Sequence, residues 1–143
     1  MIVGQHITKD IDEAAEGKDG VTIKSIPEND TDTLVKAYHE SSVFASTIKG
    51  PGGTRLKNLA AMASCLPIVS TKVGMEGLNT IPGEHVLIGD TPEEIAENVV
   101  KLIKSPRLAE TLAKAARKLV EEHFDYASIT KKLEAVYKEQ VSK

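Results

Sequence analysis

The sequence predicts an α/β protein built on a parallel sheet with helices on both faces. Short apolar runs of strand character alternate along the chain with stretches of helical periodicity, the pattern of repeated βαβ units. One long stretch, Lys49 to Leu78 (KGPGGTRLKNLAAMASCLPIVSTKVGMEGL), reads as a glycine loop, a short helix, a buried strand and a second glycine loop. Composition agrees. The chain is 41% apolar and 27% charged, ordinary for a globular protein of 143 residues, a length that suits one domain. Aromatics reach only 3% and Trp is absent, so the core must be aliphatic.

The elements follow in order. Met1-Ile2-Val3-Gly4 is strand-like, with Gly4 a turn at its carboxyl end; a chain opening directly in a strand is expected to be a piece of a longer one. Asp10 caps a short helix through Ala15, which Gly17 ends. Lys18-Asp19-Gly20 is a turn, and Val21 to Ser25 is the second strand. After the loop from Pro27 to Asp30, Asp30 or Thr31 caps a helix with Leu34, Ala37 and Tyr38 inward. Val43-Phe44-Ala45 is the third strand. Thr54 caps a helix over Arg55 to Ser64, whose apolar stripe is Leu56, Leu59, Ala60 and Ala63. Leu66-Pro67-Ile68-Val69-Ser70 is a buried fourth strand, Pro near its start. Pro82-Gly83 turns the chain into a fifth strand, His85 to Ile88.

The remaining third is helical. Thr91, Pro92 and Glu94 spell a capping box with Pro at the first helical position. Ile95, Val99, Leu102 and Ile103 mark its inward face. Ser105-Pro106 repeats the start signal, with Leu108, Leu112, Ala115 and Leu119 as the stripe. Asp125 caps the last helix, with Tyr126, Ile129, Leu133, Val136 and Tyr137 inward.

Several function classes are excluded. A net charge of −3 argues against general nucleic-acid binding. No apolar run approaches a membrane span, and the N-terminus lacks a charged and an apolar leader region. Cys65, the single cysteine, rules out an internal disulfide, fits a reducing cytoplasm, and is expected to be a small buried residue. His6, His39, His85 and His123 show no metal spacing and read as surface or loop residues. Asp12, Glu13 and Glu16 read as a solvated helix face.

Anion chemistry is the positive signal. Gly50, Pro51, Gly52 and Gly53 precede a helix start, where the first N–H groups have no internal partner and the dipole adds positive character. Lys49, Arg55, Lys57 and Lys72 accompany them, and no acidic residue falls between Lys49 and Met75. A phosphate or diphosphate suits this basic island. The alternative is a tight glycine turn beside solvated cations.

The literal residues carry more than the pattern. GGTRLKNLAAMASCLPIVSTKVGMEGL resembles the donor-site segment of retaining GT-B glycosyltransferases of the large family 4 group, whose usual form is G-T-R-L-K-x-L-E-A-M-A-x-G-x-P-V-V-S-T-x-x-G-x-E-G-L. The IVG strand, GEHVLIGD and the C-terminal helices extend the resemblance over nearly the whole chain. It implies a Rossmann-like domain that takes the nucleotide sugar, the C-terminal one of two, with Gly52, Gly53, Thr54, Arg55 and Lys57 near the diphosphate. Glu76, in GMEGL, matches a Glu that binds the donor or caps the following turn.

The resemblance also shows departures. Ala60 stands where the family has a Glu that hydrogen-bonds the donor ribose. Gly52 occupies the place of a second motif Glu. Cys65 replaces a Gly that ends the helix in a left-handed conformation, and Ser46 stands where Pro is common. The family's donor domain has one more βα unit before the IVG strand, and its strand lies at the centre of the sheet. Without it, the order 3-2-1-4-5-6 renumbers to 2-1-3-4-5, a flavodoxin-like doubly wound sheet of five strands with extra C-terminal helices. Met1–Gly4 is then expected to pair directly with Val43–Ala45, because a buried apolar strand cannot leave its backbone unpaired.

The expectation is therefore a single donor-domain-like unit over residues 1–143, inactive alone. It would bind a nucleotide sugar or nucleoside diphosphate weakly, use no cofactor or metal, hold no complete catalytic set, and form a homodimer if the newly opposed strands pack poorly. The second reading is a non-catalytic folding or self-association module. A receiver-like signalling domain fails at once, since Gly4 and Ala45 stand where its acidic cluster belongs.

Overall fold

The computed structural model describes residues 1–4, 7–50 and 55–141. Its contacts divide the chain into two units, Met1–Glu40 and Ser41–Lys143.

In the first unit, β1 (Ile2–Gly4) and β2 (Ile23–Ser25) form a parallel ladder in the register Ile2 to Ile23 and Gly4 to Ser25. Between them lies α1 (Lys9–Ala15), which begins one residue after Thr8 and places Asp10 inside the first turn instead of at the cap. There its carboxylate complements the helix dipole. α2 (Thr31–His39) starts as read: the Asp30 carboxylate accepts from the Thr33 N–H at 3.0 Å. Hydrogen bonds from the Thr33 hydroxyl and backbone hold the Asp30 carboxyl below its ordinary pKa. Of the expected inward residues Ala37 is buried, while Leu34 is exposed.

The second unit carries the larger core. β3 (Phe44–Ser46), β4 (Ile68–Ser70) and β5 (Leu87–Ile88) form a parallel sheet in the order β3-β4-β5. β4 is central, and Ile68, Val69 and Ser70 are all fully buried, as a strand paired on both sides and covered on both faces requires. Around the sheet run α3 (Leu56–Ala63), a 3₁₀ turn (Val73–Met75), α4 (Pro92–Lys104), α5 (Pro106–His123) and α6 (Tyr126–Val141). Val69, Leu87, Ile95, Leu102 and Leu112 form the aliphatic core, with Val43, Val99, Leu108 and Ala109 packed against it.

The α/β class, the parallel strands and the neighbour relations within each unit follow the sequence reading. The order 2-1-3-4-5 is not confirmed: the described strands form a two-stranded sheet, β1-β2, in the first unit and a three-stranded sheet, β3-β4-β5, in the second.

The start of α4 matches its sequence signature atom for atom. Thr91 Oγ1 accepts from the Glu94 N–H at 3.2 Å, and Glu94 Oε2 accepts from the N–H groups of Asp90 at 2.7 Å and Thr91 at 3.1 Å. Three donors at the strand-to-helix junction are thereby satisfied. Two helix faces differ from expectation. On α4, Ile95 and Leu102 are buried but Ile103 is not. On α5 the buried residues are Leu112, Ala113 and Ala116, a stripe centred beside the expected one. On α6, Asp125 Oδ2 accepts from the Ala127 N–H at 3.1 Å, as a cap should. Yet Tyr126, Ile129, Leu133, Val136 and Tyr137 remain exposed.

The end of α3 explains the cysteine. The Leu66 N–H bonds the Ala61 carbonyl at 3.1 Å and the Cys65 N–H bonds the Met62 carbonyl at 3.0 Å, the paired bonds of a Schellman ending. Cys65 takes the left-handed position, φ 54°, as the resemblance implied. It is exposed, not buried, because that turn points its side chain out of the fold. A side chain there costs about 1 kcal/mol relative to glycine. Cys65→Gly is expected to raise the unfolding free energy by that amount and the urea midpoint with it; an unchanged or lower midpoint would contradict the strain.

Candidate functional site

The start of α3 and the turn after β4 come together at the carboxyl end of the three-stranded sheet. Parallel strands make this inevitable: each strand exits there, and the loops that follow must converge. Arg55 is the N-cap residue of α3, its carbonyl accepting from the N–H groups of Asn58 at 2.9 Å and Leu59 at 3.0 Å. Its guanidinium Nη2 donates to the Gly50 carbonyl at 3.2 Å and to the Val73 carbonyl at 3.1 Å. One side chain therefore joins Gly50, after β3, to the turn after β4.

Asn58 reaches the turn after β4 from one helical turn further on. Its Nδ2 donates to the Gly74 carbonyl at 2.6 Å and lies 3.3 Å from Met75 Sδ. The side chain is fully buried, and its Oδ1 and the Ser70 Oγ have no partner among the described residues. Thr71 Oγ1 donates to the Ile48 carbonyl at 2.5 Å and accepts from the Gly74 N–H at 3.0 Å. Gly74 is pressed so closely into this group that a Cβ would stand 2.4 Å from Ser70 Oγ. Lys72 is tied to the next loop, its N–H donating to Asp90 Oδ1 at 2.9 Å.

This corrects the stripe read for α3. Leu56 is 68% exposed, and the buried residues are Asn58, Ala61 and Met62. The apolar stripe Leu56, Leu59, Ala60 and Ala63 passes Asn58 by, because it counts apolar residues only. The companions of Asn58 at i+3 and i+4, Ala61 and the bulky Met62, were the available sign that the buried face passes through it. Arg117 of α5 donates to the Ala63 carbonyl and so holds the other end of the helix.

Of the sequence-derived site residues, Arg55, Lys57 and Glu76 are described. Arg55 lies between the loops, Lys57 is exposed on the first turn of α3, and Glu76 is exposed where the 3₁₀ turn ends. Gly52, Gly53 and Thr54 lie outside the described residues, as does His6. Ser46 is buried at the end of β3, its carbonyl accepting from the Thr71 N–H at 3.2 Å. His85 is not a surface residue: it is 8% exposed, and its Nδ1 accepts from the Ile81 N–H at 3.0 Å, closing the turn before β5. Among the described residues no group of three or more His, Cys, Asp or Glu side chains is gathered to hold a metal ion.

Parallel strands alternating with helices, with the turn after β4 held against the start of α3, define a class, and comparison identifies it. The chain belongs to the glycosyl transferases group 1 family, whose model matches residues 1–105. Its fold is similar to that of the C-terminal domain of a glycosyl transferase group 1 family protein from Francisella tularensis. That likeness has a TM-score of 0.71 at 20% identity and covers 82% of this chain and 62% of the other. It is also similar to the sucrose-phosphate synthase of Thermosynechococcus elongatus, with a TM-score of 0.68 at 22% identity over 86% of this chain and 31% of that one. A curated relative, an uncharacterized 44.6 kDa protein in the cps region of Klebsiella pneumoniae, is 27% identical over 119 residues. The match takes in 83% of this chain but only 31% of the relative's length. Among the described residues no helix is long and apolar enough to cross a membrane.

Proposed function

We propose that this chain is the donor-side portion of a glycosyltransferase and that the start of α3 receives the diphosphate of a nucleotide sugar. The observation that carries the reading is that Arg55, at that helix start, joins the Gly50 and Val73 carbonyls in a stretch that has cations and no acidic residue from Lys49 to Met75. Backbone N–H groups over Gly52, Gly53 and Thr54, with Arg55 and Lys57, form the anion site, and Glu76 stands at the neighbouring loop. In a complete enzyme such a site works by stabilising the departing diphosphate electrostatically. Transfer also needs an acceptor, and the chain spans only part of its relatives. The 143-residue chain is therefore expected to transfer no sugar from any nucleotide-sugar donor.

Binding is expected to be weak, because Ala60 offers no carboxylate to the ribose. Calorimetry with UDP and GDP tests this, alongside Ala60→Glu. The substitution should tighten binding through one charge-assisted hydrogen bond, at most about 1.5–3 kcal/mol. No heat with either nucleotide, in the native chain and in Ala60→Glu alike, would count against the reading.

The exposed stripe of α6 favours a second reading, self-association without catalysis. Tyr126, Ile129, Leu133, Val136 and Tyr137 share one face and all remain exposed. Light scattering across a concentration series separates the two. A dimer that Leu133→Lys disperses without affecting nucleotide binding would assign that face to self-association.

A further inference from the structure

The two bonds that leave α3 for the turn after β4 have a common design. Arg55 and Asn58 are one helical turn apart, and they donate to consecutive carbonyls, Val73 and Gly74. Arg55 also holds the Gly50 carbonyl, at the other glycine loop. The turn itself is short. Its internal bonds are the Gly74 N–H to Thr71 Oγ1 at 3.0 Å, the Met75 N–H to the Lys72 carbonyl at 3.1 Å and the Glu76 N–H to the Val73 carbonyl at 3.4 Å. Arg55 and Asn58 add to these the bonds that tie the turn, and with it Glu76 directly after, to α3.

We propose that Arg55 and Asn58 are positioning residues for the nucleoside-diphosphate site, clamping the Val73–Met75 turn and, through Arg55, the Gly50 carbonyl onto the first turn of α3 before the ligand arrives. The inference rests on the donor-site reading above and changes the role of Arg55 within it. Its guanidinium acts on the loop carbonyls that shape the site, instead of serving only as a charge opposite the phosphates. The planar fork suits this, because its N–H groups have fixed directions, whereas an ammonium is a point charge on a flexible stem. Asn58 is suited differently. A neutral amide donor is tolerated in a fully buried place where a charged group is not. Preorganised loops lower the ordering cost that binding would otherwise carry.

The test uses the 143-residue chain with UDP and GDP as probes and two readouts, calorimetric affinity and amide hydrogen exchange in the unliganded protein. Arg55→Lys keeps the charge and removes the fork; Asn58→Leu keeps the approximate shape and removes the donor. Arg55 is only partly buried, so Arg55→Lys remains informative if Asn58→Leu fails to fold. For Arg55→Lys the clamp predicts at least tenfold faster exchange at Gly74 and Met75, unchanged exchange at Leu112 and Ala113, and at least tenfold weaker nucleotide binding. Native affinity in Arg55→Lys would overturn the proposal while leaving the donor-site reading standing. Faster exchange with undiminished binding would do the same, reducing the clamp to a device of the fold. A native chain that binds neither nucleotide would overturn the donor-site reading itself, and the positioning role with it.

Discussion

Leu102→Ala is expected to destabilise the chain by about 2–5 kcal/mol, while Ile103→Ala, one residue on, should cost no more than about 0.5 kcal/mol. Both residues belong to the apolar pattern of α4. Leu102 is 1% exposed and sits in the core with Val69, Leu87, Ile95 and Leu112, whereas Ile103 is 61% exposed. Truncating Leu102 removes its transfer free energy and leaves a cavity that the neighbouring strand and α5 cannot fill without moving. Truncating Ile103 changes only a solvated surface. Urea unfolding of the two variants side by side checks the assignment. Equal losses would place the α4 face where the bare periodicity puts it.

That pair shows where sequence reasoning reaches its limit. Periodicity locates a helix face to within about one residue's rotation, and neighbours at its margin fall either way. The same limit moved the α5 stripe from Ala115 and Leu119 to Ala113 and Ala116. It bears harder on α3, where the buried face runs through Asn58 and its hydrogen bond to the Gly74 carbonyl 16 positions away. A polar side chain is buried when it has a partner, and a partner distant in sequence leaves no local trace. Signals that are themselves local were legible to the atom. The Thr91 and Glu94 box at α4 and the Asp30 cap at α2 involve only residues within one turn, whereas the left-handed place at Cys65 was legible only through the resemblance, since a cysteine does not itself signal it. On α6 the stripe was legible, but periodicity does not say what, if anything, covers it.

The second large effect is expected at Gly89. This residue directly follows β5, its N–H donating to the Ser70 carbonyl at 3.0 Å, and it meets the first turn of α4 at close range. A Cβ built there would stand 2.8 Å from the Ile95 nitrogen and 2.9 Å from the Glu94 carbonyl carbon. Those are backbone atoms of a capped helix, so no side-chain rotation relieves the contact. Gly89→Ala must push α4 away from the sheet or break the ladder bond, an overpacking that costs about 1–3 kcal/mol. The capping bonds to Glu94 should loosen with it, so far-UV helicity should fall alongside the unfolding midpoint. Gly50, with open space around it, provides the control: Gly50→Ala should leave stability within about 0.5 kcal/mol.

The organisation around α3 gives these packing constraints a purpose. Buried Leu102 and Leu112 fix α4 and α5 against β4; Arg117 on α5 holds the end of α3; Arg55 and Asn58 at its beginning bond the Gly50, Val73 and Gly74 carbonyls. The rigid elements thus end in a helix start whose surroundings are cationic and glycine-rich. The measurement that tests this most directly is a ¹H–¹⁵N NMR titration of the 143-residue chain with UDP and GDP. The account predicts saturable shifts centred on residues 50–57 and on the Val73–Glu76 turn, with α6 and the α1 region silent. Shifts confined to residues far from Gly50 to Lys57, or none at millimolar nucleotide, would contradict it.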